Sequence, residues 1–126
     1  MAAAGSADVV VLKVAPLGGV RTALRVAEQC GLPVVVSSAL DTSVGIAAGV
    51  ALAAALPELP FACGLGTAAL FTRDVVDPSL QPVGGAIEVA RAAATSPDPS
   101  LLADLAAPQD RQRWWRERLD RCTALL

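Results

Sequence analysis

The sequence contains no histidine, which removes both the commonest metal ligand and the commonest general base. Lysine is nearly absent: Lys13 stands alone against nine arginines. Cysteine is scarce and odd in number. Cys30, Cys63 and Cys122 lie far apart and make neither a CxxC metal knuckle nor a disulfide framework, so a reducing cytoplasm is the expected setting. Surplus positive charge is missing as well. At a net charge of −2, the chain has no general attraction for nucleic acid or anionic lipid, and neither is expected as a partner. Long hydrophobic runs are missing too. The longest uncharged stretch, residues 42–57, holds two glycines and ends in proline, short of the roughly 20 residues a membrane helix needs. Its Gly45 and Gly49 form a GxxxG, read here as small residues that let a helix pack closely rather than as a membrane dimer motif. The first eight residues have no basic start and no long apolar core, so no signal peptide is expected there.

What the chain does have is apolar residues, 54% of the total, enough for one modest core in 126 residues. They are arranged in a cycle. Residues 8–13 form an uninterrupted apolar run, the mark of a strand buried on both faces in a parallel sheet. After a Pro16, Gly18, Gly19 loop, residues 20–30 place Val20, Leu24 and Ala27 opposite Arg21, Arg25 and Glu28. That is an amphipathic helix, stopped by Gly31. Residues 33–37 are a second buried strand, and Asp41, Thr42 or Ser43 is placed to cap a helix running to about Leu56. Residues 59–63 read as a third, shorter strand, followed by a glycine turn and a short helix to about Phe71. Lys13, Ser37 and Cys63, at the three strand ends, are 24 and 26 residues apart, a spacing that suits right-handed β/α crossovers.

Beyond Asp74 the pattern breaks into turns. A last helix is expected over residues 109–123, with Trp114, Trp115, Leu119 and Cys122 as an apolar stripe. Arg113–Glu117 and Glu117–Arg121 are placed as charge pairs one turn apart. Arginines beside tryptophans could stack on RNA, but the interspersed Asp110, Glu117 and Asp120 favour a solvated helix anchored by its tryptophans. The chain thus divides into residues 1–73, the strand–helix cycle, and residues 74–126, an extension ending in a helix.

In parallel α/β architectures, chemistry gathers where strands end and loops lead to helices. That rim carries Lys13, then Ser37 and Ser38, then Gly64, Leu65, Gly66 and Thr67. A lysine can exchange a proton where an arginine cannot, which makes the lone Lys13 a catalytic candidate. The plainer alternative is a stem packed on the strand with its ammonium in water. Ser37 and Ser38 have hydroxyls to offer an anion, or could simply cap the next turn. Residues 64–69 fit GxGxxA, yet no acidic residue follows at a second strand, so a dinucleotide site is set aside. A carboxylate held by main-chain N–H groups is the more economical use of Gly64 and Gly66.

Three ordered segments, VVVLKVAPLGG at 9–19, PVVVSSALDTSVG at 33–45 and LPFACGLGT at 59–67, carry a family likeness. Across residues 6–123 the chain resembles the actinobacterial o-succinylbenzoate synthases of the enolase superfamily. The resemblance implies an α/β fold: the C-terminal three β/α units of a (β/α)8 TIM-type barrel, incomplete, plus a C-terminal helix. It also implies a lyase of menaquinone biosynthesis, which dehydrates 2-succinyl-6-hydroxy-2,4-cyclohexadiene-1-carboxylate to o-succinylbenzoate. Lys13 matches the second of the family's two lysines, on the sixth strand, expected to stabilise the enediolate. Ser37, Ser38, Gly64 and Gly66 match positions that touch the succinyl end of the substrate. The family uses Mg (magnesium), but its three carboxylate ligands and first lysine lie on earlier strands. The expectation is therefore a truncated product or partial sequence that binds no metal, is inactive alone, and has open sheet edges that invite self-association or a missing N-terminal half. Related reactions, N-acylamino acid racemisation and muconate cycloisomerisation, and a non-catalytic α/β interaction module, are the alternatives.

Overall fold

A computed structural model describes residue 5 and residues 7–125; most of the stretch read for a signal peptide lies outside them. The chain is an α/β structure with a two-stranded parallel sheet and five helices. Strand β1, Val10–Leu12, pairs in parallel with β2, Val34–Val36, with Val10 opposite Val34 and Leu12 opposite Val36. Helix α1, Val20–Cys30, joins them as a crossover. Its Val20, Leu24 and Ala27 pack on the core around the fully buried Ala23, while Arg21, Arg25 and Glu28 face water, as the sequence pattern implies. Gly31 takes the left-handed conformation that glycine adopts without penalty, and its N–H returns to the Ala27 carbonyl.

Helix α2, Ser43–Ala55, is apolar on nearly every side and buries Ile46, Val50 and Leu52. The small residue at position 49 has a local reason: a Cβ there would stand 2.6 Å from Leu65 Cδ2. No side chain of Asp41, Thr42 or Ser43 caps this helix. Asp41 instead accepts from the Ala39 N–H. The cap comes from thirty-one positions along the chain, where the Asp74 carboxylate accepts from the Ser43 N–H at 3.1 and 3.2 Å and from the Ser43 hydroxyl. That hydroxyl oxygen in turn accepts from the Leu80 N–H at 2.6 Å. Ser43 is fully buried and satisfied on every side.

Two expectations fail here. The strand expected over residues 59–63 does not form; only Gly64 bridges to Ser37, through Gly64 N–H to the Val36 carbonyl (2.8 Å) and Ser38 N–H to the Gly64 carbonyl (2.9 Å). Pro60 has no N–H to give a ladder, and Leu59 and Phe61 are 44% and 47% exposed with nothing beyond them to pair with. Two β/α units are therefore complete, and the third has its 3-10 turn, Thr67–Leu70, without its strand. β1 is also not buried on both faces. Val11 is 57% exposed because no layer covers that side.

Residues beyond Asp74 fold back on the first part. Leu80 is fully buried, and Ala92 of helix α3, Val89–Ala93, is buried where α3 packs on α2. Helix α4, Pro99–Asp104, begins with proline and is capped by the Asp98 carboxylate, which accepts from the Ser100 and Leu101 N–H groups. The Ser100 hydroxyl bond first, then those two N–H bonds, hold the Asp98 carboxyl below its ordinary range. Helix α5 spans Gln109–Thr123, the bounds the sequence implies, but its tryptophans anchor nothing. The helix buries no residue; Trp114 and Trp115 stand edge to face on each other at 4.7 Å. The charge pairs expected along α5 do not close, and the ion pair seen among the described residues joins Arg73 to Asp104 at 2.7 Å.

Candidate functional site

The site lies where β1 and β2 end. A parallel register brings consecutive strand ends to one rim, and here Leu12 lies opposite Val36, so the next residues of the two chains emerge together. Lys13, half-buried, leaves β1 at this point, and its Nζ donates to the main-chain carbonyl of Ser38 at 2.5 Å. The amine therefore points toward the serine pair. Ser37 is held in the ladder by its N–H to the Leu12 carbonyl at 2.9 Å. Ser38 is buried, and its hydroxyl donates to the Gly64 carbonyl at 3.0 Å while accepting from the Thr67 hydroxyl at 2.9 Å.

Lys13, Ser37, Ser38 and Gly64 thus stand together as one cluster. The glycine at 64 is needed for close approach: a Cβ there would lie 3.1 Å from Ser37 Oγ, so the serine would have to give way. Gly66 is different. It makes no bond to the cluster; its nearest neighbour beyond the adjoining chain is Pro82, 3.9 Å from where a Cβ would be. Both glycines line an apolar cavity of about 520 Å³, shared with Phe61, Cys63, Leu65 and Pro82. The sequence reading did not single out the Thr67 hydroxyl. A threonine opening a helical turn just after Gly66 was the signal for it, and the turn duly places it on Ser38.

Chemically, the cluster offers an ammonium and the Ser37 hydroxyl on one rim, groups suited to a bound carboxylate, while the Ser38 hydroxyl and the Gly64 N–H are spent on the Gly64 and Val36 carbonyls. It does not offer a metal site. Among the described residues, no three of Asp, Glu or Cys stand close enough to hold a metal ion, so the residues present do not fit the magnesium that the resemblance implies. Asp74, the first acidic residue after the glycine turn, spends its carboxylate on Ser43 and on the Val75 N–H. Cys30, Cys63 and Cys122 are free thiols, and no described helix is long and apolar enough to cross a membrane.

Residues 1–96 match the enolase C-terminal domain-like family. The chain is 56% identical over 123 residues to the o-succinylbenzoate synthase of Mycobacterium ulcerans (strain Agy99), and 55% identical to those of Mycobacterium tuberculosis (strain ATCC 25618 / H37Rv) and Mycobacterium bovis (strain BCG / Pasteur 1173P2). Each match covers 98% of this chain but 36% of the relative, so the chain spans about a third of the length of the curated relatives it matches. The matched part is their C-terminal part.

Proposed function

The chain belongs to the enolase C-terminal domain-like family, and on that premise we propose that it is the C-terminal part of an o-succinylbenzoate synthase. In this reading residues 1–73 supply the last three β/α units of a (β/α)8 barrel, and residues 74–126 are an extension packed behind them. Residues 59–63 take up their strand only when a neighbour lies along them. The substrate is the cyclohexadiene carboxylate with its succinyl arm, and the reaction removes an α-proton and the ring hydroxyl to give an aromatic product in the cytoplasm.

Lys13 is the residue we assign to catalysis. Loss of the α-proton places negative charge on the ring carboxylate, and an ammonium held at that spot stabilises the charge as it forms. Ser37, Ser38 and the Gly64–Gly66 turn lie against the succinyl carboxylate, with the Ser37 hydroxyl as donor, while the Ser38 hydroxyl and the Gly64 N–H, spent on the Gly64 and Val36 carbonyls, hold the shape of the turn. By the family resemblance, the removal of the proton falls to a first lysine and the magnesium to three carboxylates, all on earlier strands; among the described residues no group of three ligands could hold that ion. By itself the 126-residue chain is inactive.

The single observation that carries the reading is the contact of Lys13 Nζ with Ser38, which sets the amine on the same rim as the serines and the glycine turn. The test is to join the chain behind the preceding part of the Mycobacterium ulcerans relative and assay dehydration. Dehydratase activity in the joined protein and none in the 126-residue chain is the expected result. Racemisation of an N-acylamino acid by the joined protein, without dehydration, would replace this assignment with another reaction on the same scaffold.

A further inference from the structure

Helix α5 is the least explained part of the molecule. Trp114 and Trp115 are 42% and 57% exposed, and both indoles lie on a helix that buries nothing. Arg118 sits over both rings at 5.7 and 6.0 Å, and Arg111 over Trp114 at 5.7 Å. Arg111, Trp114, Trp115 and Arg118 share one face, since residues three, four and seven apart do so on a helix. The result is an aromatic patch with a guanidinium at each end. Among the described residues, neither guanidinium has a carboxylate within 4 Å.

The complementary surface is on the same chain, away from the rim. Between the C-terminal ends of α1 and α2 lies an apolar groove of about 570 Å³, floored by Leu24, Ala27, Val34 and Leu56. Two exposed carboxylates, Glu28 and Glu58, line it, and neither has a cationic partner among the described residues. Its walls are α1, α2 and the start of β2, with Pro57, Glu58 and Pro60 from the stretch that follows α2. Charge is also divided between the two surfaces. α5 has five arginines against three acidic residues, a surplus of two positive charges, so the rest of a chain of net −2 stands at −4.

We propose that α5 of one copy docks into the α1/α2 groove of a second copy, and that the exchange is reciprocal. The indoles enter the apolar floor, and Arg111 and Arg118 pair with Glu28 and Glu58. A two-fold pair fills both grooves and covers both helices, which closes the assembly as a dimer. Pairing of α5 with α5 is disfavoured, because the arginines flanking one patch would meet those of the other. The inference does not rest on the proposed reaction.

The test uses the 126-residue chain. Trp114 and Trp115 are its tryptophans and it has no tyrosine, so intrinsic fluorescence reports on α5 alone. Sedimentation should show the 12.8 kDa chain doubling in mass with rising concentration, with tryptophan emission moving to shorter wavelength over the same range. Arg111→Glu with Arg118→Glu, and separately Glu28→Arg with Glu58→Arg, should each weaken the dimer by about tenfold or more, and the four changes together should restore it. Added salt should weaken the unaltered dimer in step with the emission. A chain that stays monomeric with solvent-exposed emission overturns the proposal. So does an association that ignores the charge exchanges and salt, which would point to the open sheet edge, or a four-fold variant that fails to recover.

Discussion

Lys13 and Ser38, twenty-five positions apart, meet through a hydrogen bond from the lysine Nζ to the serine main-chain oxygen. The bond ties the end of β1 to the loop leaving β2, so the one lysine of the chain is held at the rim by backbone rather than by a second side chain. A main-chain acceptor keeps the amine in place without neutralising its charge, which leaves that charge available to a ligand.

That arrangement makes the identity of residue 13 decisive. In the joined enzyme, Lys13→Ala should lower kcat by about 10²–10⁴-fold with a much smaller change in KM, the range expected for a positioned charged or proton-transferring group. Lys13→Arg should recover little, because a planar fork does not reproduce a compact ammonium. Steady-state kinetics on all three proteins checks this, and near-normal kcat in the alanine variant would remove Lys13 from the reaction.

Thr67 should act on binding. Its hydroxyl donates to Ser38 Oγ, which fixes Ser38 as the donor to Gly64. Thr67→Val keeps the shape and loses that orientation, so KM for the succinyl substrate should rise by several-fold, while kcat changes little. Equal falls in kcat and kcat/KM would place Thr67 nearer the reacting atoms than the serine pair.

Ser43→Ala should be among the most damaging small changes in the chain. It strips a fully buried hydroxyl from the Asp74 carboxylate and from the Leu80 N–H at once. Leaving a buried donor without a partner costs about 1–3 kcal/mol, more beside a charge. Urea unfolding of the Ser43→Ala, Asp74→Asn and double variants should show strong coupling between the two sites, and additive effects would contradict the contact.

Acid should loosen the first turn of α4. The Asp98 carboxyl, held low by Ser100 and Leu101, is a group whose folded value lies beneath its unfolded one of 3.8. The stabilisation is therefore complete above that value and is lost as the pH falls below it, through the folded value. Amide exchange at Ser100 and Leu101 should quicken over that window, and Asp98→Ala should show fast exchange at every pH.

The first two strand–helix units were legible in the sequence because each apolar run is bounded by glycine or proline, and the helix between them has one clean apolar face. The bounds of α5 were legible for a similar reason, with Pro108 before it and a dense run of helix formers within it. What escaped was whatever depends on distance along the chain. Asp74 caps α2 from thirty-one positions away, and no local pattern marks it. The stretch at residues 59–63 has strand-like composition, yet its proline and the lack of an outer neighbour leave it unpaired. The tryptophans of α5 read as anchors, since indoles usually are; that they face water follows from what else is, or is not, folded around them. At the site, Lys13, Ser37, Ser38, Gly64 and Thr67 were placed on the rim by strand-end position, and only the bond from the Thr67 hydroxyl to Ser38 needed coordinates.

The single bridge between Ser37 and Gly64 means that the third lane of this sheet is fastened at its functional end first. The stretch leading up to Gly64 hangs from a fixed point, so it has one alignment against β2, counted back from that glycine. Assembly would then run from mouth to base, and the pocket's geometry would precede the wall that supports it.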